Sequence, residues 1–155
     1  MSPDNHRILI VEARFYEDVA DALVKGATDV FKTAGLGVER IEVPGVFEIP
    51  AAMRYAIRAM EFGASRHHYA GFVSLGCVIR GETDHYEYIC RASIDAIMNL
   101  TTTHSIAHGF GILTCENYEQ AWARADTAQR NLGARAANAC LRMMEIKTNL
   151  RLISP

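Results

Sequence analysis

The chain predicts an α/β fold, a three-layer sandwich with a parallel sheet in the middle. Three observations carry this. Strand-like runs alternate with helical segments of ten or more residues, connections too long for hairpins and of the kind that return a strand parallel to its predecessor. The first strand, Ile8-Leu9-Ile10-Val11, is apolar without alternation, as a strand covered on both faces requires. Finally, 155 residues of which 50% are hydrophobic suit one domain, spanning 1–155, that buries its own core.

The elements follow in order. From Tyr16 to Thr33, Val19, Leu23, Ala27, Val30 and Phe31 recur at helical spacing opposite Asp18, Asp21, Lys25 and Asp29, and Gly35 and Gly37 stop the helix. Val38–Val43 alternates as a second strand, Pro44-Gly45 turns the chain, and Ile49–Phe62 reads as a helix with Pro50 in its first turn and Gly63 beyond its end. Ala70–Leu75 is a third strand, followed by a loop over Gly76–Asp84 and a helix from His85 to Thr103. A fourth strand over Ile106–Leu113 carries Gly109 and Gly111, and helices over Asn117–Thr127 and Asn131–Ile146 close the chain.

Composition excludes several classes. A net charge of −2 with scattered Lys and Arg gives no footprint for nucleic acid. Cys77, Cys90, Cys115 and Cys140 are widely spaced, with no C-x-x-C and no histidine at zinc-finger distance, so reduced thiols are expected, without disulfide framework or metal. The polar segment Met1–Arg7 reads as flexible or neighbour-contacting, and the apolar run after it is too short for a signal or a membrane span, which predicts a cytoplasmic protein with no membrane partner.

In such sheets ligands bind beyond the carboxyl ends of the strands. That directs attention to Glu12–Phe15, Pro44–Glu48, Gly76–His85 and Thr114–Asn117. Gly81-Glu82-Thr83 combines a free backbone with a hydroxyl just before a helix. There Thr83 or Asp84 either caps the helix or helps cradle an anion such as phosphate. His85 opens that helix, where the positive dipole end favours a neutral imidazole able to pass protons; taken alone it reads equally as a surface residue. Glu48 either solvates a helix start or accepts hydrogen bonds from substrate hydroxyls. Phe15 is ordinary packing or a stacking surface for a planar ring. Arg124 is a solvated helix residue or a phosphate ligand, with Arg130 beyond it. His67, His68, His104 and His108 read as solvated or structural.

Common nucleotide motifs fail. There is no G-x-x-x-x-G-K-[ST], Gly35-Leu36-Gly37 lacks a third glycine and a following helix, and Gly109-Phe110-Gly111 lies inside a strand. A phospho-accepting receiver would place aspartate after the third strand, where this chain has Gly76-Cys77.

Four segments together, Arg14-Phe15, V-P-G-V-F-E-I-P at Val43–Pro50, G-C-V-I-R-G-E-T-D-H-Y-E-Y at Gly76–Tyr88 and F-G-I-L-T-C-E-N-Y-E-Q-A at Phe110–Ala121, strongly resemble the lumazine synthases, in the same order over nearly the whole chain. The resemblance implies a flavodoxin-like subunit with a four-stranded parallel sheet, assembled at least into pentamers with active sites between subunits. It implies condensation of 5-amino-6-(D-ribitylamino)uracil with 3,4-dihydroxy-2-butanone 4-phosphate, a step of riboflavin biosynthesis that needs no cofactor or metal. By position it makes Phe15 the stacking aromatic. Val46, Phe47 and Glu48 become the seat of the ring and ribityl chain. Cys77, Val78 and Ile79 are further substrate-binding residues, and Gly81, Glu82 and Thr83 the phosphate turn. His85 is the general acid/base. Arg124 is the phosphate arginine reaching across the interface, and Phe110 belongs to the neighbour's wall of the site.

Two positions depart from the family pattern. Asn131-Leu132-Gly133 replaces the usual N-K-G, whose lysine lies near the phosphate, and Tyr16 replaces an asparagine. The first reading is therefore the transferase. The alternative is a catalytically weak flavin- or pyrimidine-binding oligomer of the same fold.

Overall fold

The computed structural model describes residues 7–81 and 85–152. The expectation for the first six residues, and those for Glu82 and Thr83, lie outside the described residues. Four strands form one all-parallel sheet: β1 (Arg7–Ala13), β2 (Val38–Val43), β3 (Tyr69–Ile79) and β4 (His108–Cys115), in the order β2-β1-β3-β4. This is the flavodoxin-like order the resemblance implies. Among the described residues five helices flank the sheet: α1 (Glu17–Thr33), α2 (Ile49–Glu61), α3 (Tyr86–Thr103), α4 (Tyr118–Ala125) and α5 (Leu132–Asn149).

Two apolar clusters make the three layers. On one face Ile8, Ile10, Val73, Leu75 and Leu113 meet Leu23, Ala27, Phe31, Ala137 and Cys140 of α1 and α5. On the other, Leu9, Val11, Phe72 and Val78 meet Ile49, Met53, Ile57 and Ile97 of α2 and α3. Alternate residues of β1 thus point to opposite clusters, which is why the strand shows no polar alternation. Ile8, Leu9 and Ile10 are fully buried, each contributing roughly 1.5–3 kcal/mol of transfer free energy.

Helix α5 lies very close to the sheet and to α1. A Cβ on Gly109 would fall 2.0 Å from the Ala136 carbonyl oxygen, and one on Gly133 2.0 Å from that of Leu23. These glycines are there because backbone approaches backbone.

Two boundaries differ from the sequence reading. Strand β3 continues through Gly76, Cys77, Val78 and Ile79, all buried, so the loop begins at Arg80. Gly76 belongs to the strand because a Cβ there would meet Val46 Cγ2 at 2.8 Å and Ala13 Cβ at 3.1 Å; the glycine admits the neighbouring turn and does not start a loop of its own. Strand β4 spans His108–Cys115, with Ile106 and Ala107 leading into it. The helices otherwise fall within a few residues of expectation, and a short 3-10 turn at Val46–Glu48 joins β2 to α2.

Candidate functional site

The strand order reverses between β1 and β3, and the cleft above that point is where such a sheet receives ligands. A cleft of about 240 Å³ lies there, lined by Phe15 and Tyr16 after β1, Pro44–Glu48 after β2, Cys77 and Val78 at the end of β3, and Ile89 of α3. Its lining is mainly apolar with few polar groups, as suits a planar heterocycle.

Each wall has a local cause. Phe15 follows Arg14, whose guanidinium bonds to the Glu12 carboxylate at 2.7 Å and to Asp21 of α1, tying the loop to the strand and helix on either side. The Phe15 ring packs edge-on against Tyr16, centroids 4.9 Å apart, yet stays 63% exposed. In the 3-10 turn Val46 is buried while Phe47 is 62% exposed, so two large aromatic rings flank the cleft uncovered. The Glu48 amide bonds to the Gly45 carbonyl at 3.1 Å, and its carboxylate folds back to within 3.3 Å of where a Gly45 Cβ would lie. Burial, and then the adjoining Cys115 thiol, push the Cys77 thiol up to about 12. It is protonated at neutral pH and serves as wall, not nucleophile.

His85 stands exposed at the entry to α3, where its side chain makes no capping bond; its carbonyl accepts the Ile89 amide at 2.9 Å. Its ring borders a hollow lined also by Phe47, Tyr88 and Ile89, so Phe47 and Ile89 are shared with the cleft. Gly81 before it has φ +83°, a left-handed turn that glycine takes without strain. Arg80 anchors that turn: it bonds Glu116 at 3.1 Å and Glu87 at 3.2 Å and lies over the Tyr86 ring.

The structure therefore brings together Phe15, Val46, Phe47, Glu48, Cys77 and Val78, with His85 beside them. Ile79, substrate-binding by the resemblance, is instead buried in the core cluster on the α1/α5 side of the sheet and does not line the cleft. Phe110, on β4, and Arg124, in the last turn of α4, line neither the cleft nor the hollow of the same chain. Phe110 stands 44% exposed, and Arg124 Nη1 donates to Cys115 Sγ at 3.0 Å. Ile89 and Arg80 were not singled out from the sequence, and Tyr16 only as a departure from the family pattern. Ile89 lies four residues after His85, one helical turn, which was the available signal.

The 6,7-dimethyl-8-ribityllumazine synthase family model matches residues 5–148. The chain belongs to that family. It is 47% identical over 148 residues to a 6,7-dimethyl-8-ribityllumazine synthase of Paramagnetospirillum magneticum, covering 96% of this chain and 99% of the relative. It is 48% identical over 143 residues to 6,7-dimethyl-8-ribityllumazine synthase 1 of Rhizobium meliloti, covering 92% of each, and 47% identical over 143 residues to the Agrobacterium fabrum enzyme, covering 92% of this chain and 95% of the relative. In a lumazine synthase the cleft at the β1/β3 junction and the His85 hollow are neighbouring parts of one candidate site. Leu132, where the family pattern has lysine, packs against the α1/α5 core cluster. Asn131 before it, in left-handed backbone at φ 49°, caps α5 by accepting the Ala134 amide.

Proposed function

We propose that this lumazine synthase condenses 5-amino-6-(D-ribitylamino)uracil with 3,4-dihydroxy-2-butanone 4-phosphate, releasing phosphate and water to give 6,7-dimethyl-8-ribityllumazine. Membership of the family makes it a transferase of riboflavin biosynthesis. The observation that carries the substrate reading is the shared cleft: two exposed rings, Phe15 and Phe47, with the Glu48 carboxylate between apolar walls.

Each residue has a task in that reaction. Phe15 stacks on the pyrimidine, and Val46, Phe47 and Glu48 seat the ring and its ribityl hydroxyls, with Cys77 and Val78 forming the floor. Attack of the 5-amino group on the ketone, loss of water to the imine, departure of phosphate, and ring closure with loss of a second water all move protons, which His85 relays. Gly81, Glu82 and Thr83 hold the phosphate with Arg124, whose planar fork matches its oxygens. Holding the two substrates together supplies much of the acceleration.

The site is shared between copies. Phe110 and Arg124 stand apart from their own chain's cleft, and a neighbour that brings its Phe110 and Arg124 to it would complete the site, with a pentamer as the smallest ring. A cytoplasmic location suits such an enzyme, and no helix among the described residues is long and apolar enough to cross a membrane.

A second reading, binding without efficient turnover, draws on Leu132, which leaves the phosphate without the family's lysine. Mixing both substrates with purified protein and following lumazine absorbance separates the two. Acceleration over the uncatalysed condensation is expected; a rate equal to the uncatalysed one would leave only the binding reading.

A further inference from the structure

Arg124 is partly buried, and a guanidinium in that setting ordinarily pairs with a carboxylate. Among the described residues none lies within 4.0 Å of it, although acidic groups surround its helix. Asp18 receives the Tyr118 hydroxyl, Glu116 holds Arg80, and Asp126 is taken by the Ala128 amide and Gln129. The partner Arg124 does have is the sulfur of Cys115, 3.0 Å from Nη1.

Cys115 is well placed to hold something still. It ends β4, is 1% exposed, and its carbonyl accepts the Arg80 amide at 2.8 Å. One residue thus connects the Arg80 backbone, just past β3, to the guanidinium of α4. A thiol is a weak acceptor. It fixes one nitrogen while leaving the full charge and the other N–H donors of Arg124 uncommitted. A carboxylate at the same place would neutralise the arginine and compete with an arriving anion.

We propose that Cys115 is a positioning residue: its sulfur sets the guanidinium of Arg124 for the phosphate group of the four-carbon substrate while leaving its charge free. This rests on the phosphate role proposed for Arg124 above.

The test combines steady-state kinetics with inhibition by inorganic phosphate on Cys115→Val, which removes the acceptor and keeps a buried apolar side chain, and on Cys115→Ser, which keeps an acceptor. Cys115→Val should raise KM for the phosphorylated ketone and weaken phosphate inhibition, both by roughly three- to tenfold, the range of one hydrogen bond. KM for the pyrimidine and kcat should stay within about twofold, and Cys115→Ser should resemble the parent enzyme. In an Arg124→Ala background Cys115→Val should add nothing.

Equal changes in both KM values, a Cys115→Ser variant as impaired as Cys115→Val, or an undiminished effect without Arg124 would each overturn the proposal. If Arg124→Ala weakens phosphate inhibition and Cys115→Val does not, the positioning role alone is lost. If Arg124→Ala itself leaves phosphate inhibition unchanged, the phosphate role of Arg124 falls, and the role of Cys115 with it.

Discussion

Glu12 and Arg40 form a two-pronged ion pair: Nε and Nη2 of the arginine each lie 2.7 Å from one oxygen of a carboxylate that is completely buried. Arg14 completes the arrangement, so the charge at the end of β1 is held by one arginine from β2 and one from the loop that carries Phe15. Glu12 cannot reach water, whereas Arg40 can, being 43% exposed in its side chain. Removing the arginine therefore costs more than its own exposure suggests. Arg40→Ala should lower unfolding stability by about 2–4 kcal/mol, because it leaves a buried carboxylate with one partner. Glu12→Gln in the same background should recover part of that loss, since an amide needs no counter-charge. Urea unfolding of both single variants and the double variant checks this; additive losses would contradict it.

The stacking role proposed for the exposed ring of Phe15 concerns one substrate only. Phe15→Ala is expected to raise KM for the pyrimidine roughly tenfold, the scale of a stacked aromatic pair, and to leave KM for the phosphorylated ketone nearly unchanged. Kinetics with each substrate varied in turn decide the matter, and parallel rises would remove the stacking assignment.

For His85 the expectation is reversed. His85→Ala should slow turnover about 10- to 100-fold, at or below the lower end of general acid–base catalysis because orientation carries much of the rate. Binding of both substrates should be largely kept. Unchanged kcat would take away its assigned role.

Much of this was legible in the sequence because the deciding signals are local. The unbroken run Ile8–Val11, the periodicity of Val19, Leu23 and Ala27, and the alternation of Val38–Val43 each report their own element. What was not legible depends on residues distant in the chain. Gly76 looks like the start of a loop, and only the closeness of Val46 and Ala13 shows why a glycine sits inside a strand. The Glu12–Arg40 pair joins residues 28 apart across two strands. Phe15, Phe47, Glu48 and His85 could be proposed from their place after strands, whereas the Arg124–Cys115 contact depends on how α4 packs beside β4.

His108 provides a pH signature. Its Nε2 lies 2.6 Å from the buried Ser74 hydroxyl, and burial lowers its pKa from 6.5 to about 4. The fold thus holds the neutral ring, while the unfolded chain takes up the proton first as pH falls. Its contribution should be complete above about pH 7 and be lost between about 6.5 and 4, by up to about 3 kcal/mol. Urea midpoints against pH, at fixed protein concentration, should fall less steeply for His108→Gln; identical slopes would contradict the assignment.

The shared site proposed above pairs one chain's His85 with a neighbour's Arg124. Co-refolding equal amounts of His85→Ala and Arg124→Ala subunits tests it most directly. Each variant alone should be weakly active. In randomly mixed rings about a quarter of the sites take both intact residues from different chains, so activity should rise to roughly a quarter of the parent's. If the two residues serve the same chain's site, no site in the mixture is intact, and activity no higher than the average of the two variants would contradict the claim.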